Sequence, residues 1–268
     1  MEPPRLALVG TASACGHRGG ENDDRVVWDE AKLLGCLADA SGPGYGGYHA
    51  PFGVEPALER LRAAFESAPG DAGSRLHEAM SEADHVCRVL ERRLRDALGR
   101  GRGVRAAQLA ADAVRPARWE ALRGRSLGHC FTSLTALSCE LGRVFIEQCG
   151  SSRAYLLRAG RLTLLAPDQT LSSMLRAEGR HDEAEAHPGV TTALLGAGDR
   201  LQSVGATSTI ERGDRLALVS DGVWGGDAGE SRVLALLRAD GPSPMTSIVQ
   251  AAAEASRDDA SALSLAVR

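Results

Sequence analysis

Three acidic residues sit where an apolar run meets a turn. Asp39 closes "KLLGCLAD", Asp221 follows "RLALVS", and Asp258 comes just before "SALSLAV". A fourth, Asp23 or Asp24 in "GGENDDR", precedes the apolar run "RVVW". A carboxylate at the edge of a core must be hydrogen-bonded, neutralised or bound to a cation, because leaving it buried and unpaired is strongly unfavourable. Carboxylates converging from several strand ends make an oxygen-only site, suited to a hard divalent cation such as Mg²⁺ or Mn²⁺. Taken singly, each acid is better explained as a turn residue or a helix N-cap. Their repeated position at strand ends is what points to a metal.

The elements that must position them follow from hydrophobic period. "RLALVG", "RVVW" and "KLLGCLAD" are short apolar runs separated by turn residues, and they read as strands. "SGPGYGGYHAPFG" is loop; no Gly-Lys-Ser/Thr follows it, so it is a turn and not a phosphate cradle. From Val54 to Leu98 the period becomes helical: Leu58, Leu61 and Phe65 share one face, and Leu76, Met80, Ala83, Cys87, Leu90 and Leu94 share another. Two core-facing helices are expected. The Arg-, Ala- and Gly-rich stretch of about 100–127 reads as a mobile insertion with a short helix. "FTSLTALSCE", "RVFIEQCG", "RAYLLR" and "RLTLLA" then read as an antiparallel meander. After a polar segment with short helical turns come a strand, two helices ("ESRVLALLRAD", "SPMTSIVQAAAEASR") and a closing strand. The expected class is α+β with layered sheets, in one domain covering 1–268.

Composition narrows the partners. The chain has 268 residues, 43% hydrophobic and 25% charged, with a formal net charge of -4, and it lacks a basic tail. Nothing in this balance calls for nucleic acid or an anionic membrane. No run approaches the ~20 apolar residues that span a bilayer. Six scattered cysteines without C-x-x-C spacing read as buried free thiols, which fits a reducing, cytoplasmic setting. Cys130 and Cys149 read as core and not as nucleophiles, since no paired base is evident. His129, His181 and His187 lack mutual ligand spacing for zinc.

Several motifs, in collinear order, resemble those of the metal-dependent PP2C-type (PPM) protein serine/threonine phosphatases, most closely the bacterial signalling branch. "GDRLALVSDGVWG" resembles their Asp-Gly signature, "GHRGGENDDRVVW" their opening Arg and N-E-D, and "LLGCLADASG" their strand ending in Asp-Gly. "FTSLTALS", "GSSRAYL", "LAPDQTL" and "RDDASALSLAV" resemble the G-T-T strand, the G-D-S-R-A-Y-L hairpin, the L-T-x-D-H segment and the D-N ending. The resemblance implies a four-layer α-β-β-α sandwich, two packed antiparallel sheets flanked by helices, with a flap over about 171–188. It also implies hydrolysis of phosphoserine and phosphothreonine on proteins by a water activated between two divalent cations, Mn²⁺ or Mg²⁺. Transferred residue by residue, Asp39 bridges both metals, Asp221 and Asp258 complete one, and the Ala40 carbonyl joins the other. Asp24 is the inner acid, because "DRVVW" then aligns with the family's strand, and Arg18 binds phosphate.

The departures are specific. Ala40 stands in place of the glycine after the bridging acid, and Ser41 where relatives carry His or Met. Ser151 replaces the aspartate of G-D-S-R and Gly225 replaces a later acid, so a third metal site is expected to be weak or absent. Such losses leave a second expectation open, a catalytically weak relative acting as a binding or regulatory module.

Overall fold

The computed structural model describes residues 4–16, 22–40, 49–50, 52–101, 103–113, 126–127, 130–187 and 189–268. Two five-stranded sheets stack face to face. In the first, the strands run in the order β1 (Leu6–Ala14), β12 (Ala260–Val267), β11 (Arg215–Val219), β8 (Arg153–Arg158), β9 (Arg161–Ala166). In the second the order is β10 (Val204–Thr209), β7 (Arg143–Cys149), β6 (Thr132–Glu140), β3 (Leu34–Ala40), β2 (Arg25–Asp29). Every pairing within these two sheets is antiparallel. A two-residue parallel pair, β4 (His49–Ala50) with β5 (Ser126–Leu127), stands apart.

Helices cover both outer faces. α1 (Val54–Ser67) and α2 (Ala72–Gly99) pack on the second sheet through Leu61, Phe65 and Met80 against Leu34 and Leu134. α7 (Gly229–Arg238) and α8 (Pro242–Ser256) pack on the first through Val233, Leu236, Met245 and Val249 against Val219 and Ala262. Between the sheets lie Leu37, Leu137, Ile146, Leu218, Leu263 and Leu265. The result is the α-β-β-α sandwich, held by three apolar layers in which each fully buried Leu, Ile or Val contributes roughly 1.5–3 kcal/mol. Among the described residues, the remaining helices are α3 (Gly103–Ala113), α4 (Leu171–Ala177), α5 (His181–Ala186) and the single turn α6 (Asp221–Trp224). α3 is the short helix expected in the 100–127 stretch; residues 114–125 lie outside the described residues.

Side-chain parity along β3 decides what Asp39 faces. Leu34, Cys36 and Ala38 point to the helices, whereas Leu37 points into the space between the sheets. With the period of two, Asp39 falls on the inter-sheet side, at the end of the strand. Gly35, on that same side, leaves room for Leu263: a Cβ there would stand 2.7 Å from its Cδ2.

The expected four-strand meander is interrupted. β6 and β7 pair in the second sheet, but β8 and β9 belong to the first, so the chain changes sheets between Cys149 and Arg153. Gly150 makes the crossing with φ +115, and a Cβ there would lie 2.4 Å from Ser133 Oγ. Both the backbone angle and the space require glycine. Gly150→Ala is therefore expected to destabilise the fold by at least ~2 kcal/mol, combining backbone strain with overlap. Urea unfolding measures it; a midpoint equal to that of the unsubstituted chain would show that the crossing does not depend on glycine.

Candidate active site

The acids singled out by position converge at one end of the sandwich. Asp24 immediately precedes β2, Asp39 is the penultimate residue of β3, Asp221 opens α6 just beyond β11, and Asp258 lies two residues before β12. Asp39 feels the charges of Asp221, Asp24 and Asp258, and Asp24 those of Asp259 and Asp221. Burial, reinforced by Asp259 and Asp221, pushes the Asp24 carboxyl up to about 8. Asp39 is driven well above the usual carboxylate range by burial and then by its acidic neighbours. Asp221 is raised by burial, partly offset by hydrogen bonds from Asp39, from Ser151 and from backbone N–H groups at the start of α6. Asp39 and Asp221, both half-buried, are thus close enough that each disfavours the other's charge. Asp258 is exposed, and its Oδ1 accepts the Asp259 N–H at 2.9 Å.

Two buried oxygens, Asp24 Oδ2 and Asp39 Oδ2, have no hydrogen-bond donor. Buried carboxylate oxygens without donors require a proton or a cation. The donor set is all oxygen and several-fold anionic, which fits hard divalent cations such as Mn²⁺ or Mg²⁺. Among the described residues no three ligating side chains already stand at metal-binding spacing. The acids therefore form an anionic basin and not a closed cage.

Other residues hold this basin in place. Asn22 donates to the carbonyls of Ala14 (2.7 Å) and Ala260 (3.3 Å), while its Oδ1 accepts the Asp24 N–H at 2.7 Å. It ties Asp24 to β1 and β12. Asp259 Oδ1 accepts from Gly16 N at 3.2 Å and its Oδ2 from Asp23 N at 2.6 Å. One carboxylate thereby closes both ends of the 17–21 stretch; Arg18 itself lies outside the described residues, as do Ser41 and His129. Asp23 is half-buried, whereas Asp24 is only 3% exposed. Ala40 is half-buried and pairs with Thr132, whose Oγ1 donates to the Asp39 carbonyl at 2.8 Å. Gly222 lies so close to the C-terminal strand that a Cβ would stand 2.1 Å from the Asp259 carbonyl oxygen, which accounts for the Asp-Gly pair.

Ser151 is buried beside Asp221. Ser133 Oγ accepts the N–H groups of Ser151 (3.0 Å) and Ser152 (3.3 Å), and Trp224 Nε1 donates to the Ser151 carbonyl at 3.0 Å. Trp224 packs against the α7/α8 core and carries the Arg153 guanidinium 3.4 Å from its ring centroid. Gly225 leaves little space: a Cβ there would lie 2.7 Å from the Asp221 carbonyl oxygen. Burial pushes the Cys130 and Cys149 thiols up to about 12, which leaves both as neutral core groups.

This architecture is shared with solved phosphatases. The catalytic domain of the serine/threonine phosphatase PstP, in complex with two manganese ions, superposes with a TM-score of 0.67 at 22% identity, covering 98% of each chain. The PPM Ser-Thr phosphatase MsPP from Mycobacterium smegmatis gives 0.67 at 22% over 98% of each chain. Stp1 from Staphylococcus aureus gives 0.71 at 16%, over 100% of this chain and 98% of that one. The chain has the PP2C-type (PPM) phosphatase fold. In sequence it is 37% identical to the serine/threonine protein phosphatase PstP of Mycobacterium tuberculosis over 95 residues, which is 34% of this chain and 18% of that protein. No protein-family model matches.

The PPM fold accommodates this acidic basin only at a cost in stability, which gives a test on the metal-free protein. Asp39→Asn removes a half-buried ionisable group whose charged form is disfavoured, so the metal-free variant is expected to melt no lower than the unsubstituted chain. Millimolar Mn²⁺ is expected to raise the melting temperature of the unsubstituted chain and to leave that of the variant unmoved. Equal Mn²⁺ shifts in the two proteins would remove Asp39 from the ligand set.

Proposed function

We propose that this chain is a metal-dependent protein phosphatase that hydrolyses phosphoserine and phosphothreonine. The observation that carries this reading is the pair of donorless buried oxygens on Asp24 and Asp39, set among Asp221 and Asp258. Divalent cations held there would supply Lewis acidity toward a phosphate ester and an acidified water. Asp24, Asp39, Asp221, Asp258 and the Ala40 carbonyl would hold them. Arg18 would bind the phosphoryl oxygens through its guanidinium fork. The acids keep the site anionic, so it needs cations before it can accept a phosphate dianion. The substrate is a phosphorylated protein of a Ser/Thr kinase pathway. The 171–188 segment, polar and exposed along most of its length, serves as a flap beside the cleft. Among the described residues, no helix is long and apolar enough to cross a membrane.

The matched stretch spans 18% of the length of the curated relative, so activity and substrate are tested directly. Hydrolysis of an aryl phosphate and of phosphothreonine peptides is expected with Mn²⁺ or Mg²⁺ and is expected to cease with chelator. Asp39→Asn is expected to abolish turnover, whereas Arg18→Ala mainly raises KM. Deleting 171–188 is expected to lower peptide turnover more than aryl phosphate turnover. Activity that survives chelation sinks the metal-dependent reading. No turnover with any metal favours the second reading, a binding or regulatory module, for which the substitutions at Ser41, Ser151 and Gly225 speak.

Those substitutions also bear on a third cation. Ser151 offers a neutral hydroxyl, already engaged with Asp221, and Gly225 offers no side chain. Crystals grown in millimolar Mn²⁺ are expected to show two strong anomalous peaks about Asp39 and little density beside Ser151. A fully occupied third peak there would overturn this.

A further inference from the structure

Asp168, between β9 and α4, is 5% exposed. Its Oδ1 accepts from Arg153 Nε at 2.8 Å and lies 2.6 Å from Arg153 Nη2. Its Oδ2 accepts the hydroxyls of Thr170 and Ser173, each at 2.6 Å. Thr170 caps α4, its Oγ1 accepting the Ser173 N–H at 3.1 Å. One side of this carboxylate therefore holds the root of the 171–188 segment, and the other holds an arginine of β8.

That arginine leads back to the acidic basin. The Arg153 guanidinium lies over Trp224 and also donates to Tyr155 Oη at 3.1 Å. Trp224 holds the Ser151 carbonyl, and Ser151 lies beside Asp221. A second strap runs alongside: Gln169 N donates to the Gly150 carbonyl at 2.9 Å, and Gly150 N donates to Gln169 Oε1 at 2.9 Å. Residues 168–170 are thus clamped to the 150–153 turn at two points.

The pair Arg158–Asp214, at the opposite end of β8, provides a contrast. Asp214 is 2% exposed and takes Arg158 Nε at 2.9 Å and Nη2 at 2.6 Å. Its remaining bond goes to the Glu211 N–H at 2.8 Å, within its own turn. The chemistry is the same, but no path runs from it to the acids.

We infer that Asp168 is a positioning residue: by holding Arg153 flat against Trp224, it fixes where Ser151 sits beside Asp221 and couples the root of the 171–188 segment to the cation site. This inference rests on the metal-dependent reading of the acidic basin. A partner that orients a ligating carboxylate typically changes metal affinity by about 10- to 100-fold. A planar guanidinium is needed, because the same group must fork onto Asp168 and stack on an indole.

The test is Mn²⁺ affinity by isothermal titration on the full chain, alongside thermal unfolding and aryl phosphate turnover. Asp168→Asn is expected to weaken Mn²⁺ binding about tenfold and to lower turnover with it. Arg153→Lys keeps a cation for Asp168 but loses the fork and the plane; it is expected to weaken Mn²⁺ in the same direction and serves if Asp168→Asn does not fold. Asp214→Asn is expected to lower the melting temperature and leave Mn²⁺ affinity unchanged. Wild-type affinity in both Asp168→Asn and Arg153→Lys, or equal weakening in Asp214→Asn, overturns the inference. Mn²⁺ binding by the unsubstituted chain without any turnover overturns the proposed activity and leaves this inference standing; absence of Mn²⁺ binding overturns both.

Discussion

Carboxylates that repel one another where strand ends meet, Asp24 buried and Asp39 and Asp221 half-buried, are the constraint around which the molecule is arranged. Asp39 lies on the inter-sheet face by strand parity, and Asp24, Asp221 and Asp258 act on it from neighbouring strand ends. Such a group disfavours its own folded state unless protons or cations neutralise it. Three apolar layers, two under helices and one between the sheets, supply the stability that tolerates it. The local devices have the same purpose. Asn22 fixes Asp24, Thr132 fixes the Asp39 backbone, and the close approach at Gly222 brings Asp221 up to the C-terminal strand.

The departures from the PPM motifs have physical consequences that can be read at the site. Where the motif carries an acid, the neutral Ser151 hydroxyl beside Asp221 favours its charged form and adds no further negative charge. The motif's asparagine is replaced by Asp259, both of whose oxygens accept backbone N–H groups at the two ends of the 17–21 stretch. A side-chain amide has one acceptor oxygen and would leave one end without its bond. That gain carries an electrostatic penalty, because the extra charge raises the neighbouring Asp24.

Much of this was legible in the sequence, for reasons that differ by element. α1, α2, α7 and α8 show helical period because each has one face on a core, and β3, β6, β11 and β12 stand out because both of their faces are covered. β10 was missed: "VGATST" is a half-buried edge strand with little apolar signal. The one-turn α6 was read as a plain strand end, since four residues are too few to show a period. The break in the meander at Gly150 is a tertiary choice between two sheets and leaves only a glycine as its trace. Asp24, Asp39, Asp221 and Asp258 stood out in the sequence by position, and the fold brings them to one end of the sandwich. Asn22, Asp259 and Asp168 did not stand out, because they act through backbone and side-chain partners distant in sequence. The doubled acid in "RDDAS" was the one local hint that Asp259 had work of its own.

The pairing of β1 with β12 has a consequence for how the protein comes into being. Leu6 stands opposite Val267, and β12 lies between β1 and β11 in the middle of its sheet. Until that strand docks, β1 has no partner in its sheet, and the inter-sheet layer lacks Leu263 and Leu265. Asp258 and Asp259 travel with the same segment, so the anionic basin closes only when the last strand is in place. A ribosome delivers the three earlier acids well before the fourth, and a chain cut short upstream of β12 has neither a finished core nor a complete acidic basin. Contacts of such sequence separation make assembly slow. They also make the chemistry inseparable from complete folding, so that no partly folded form of this chain carries the whole site.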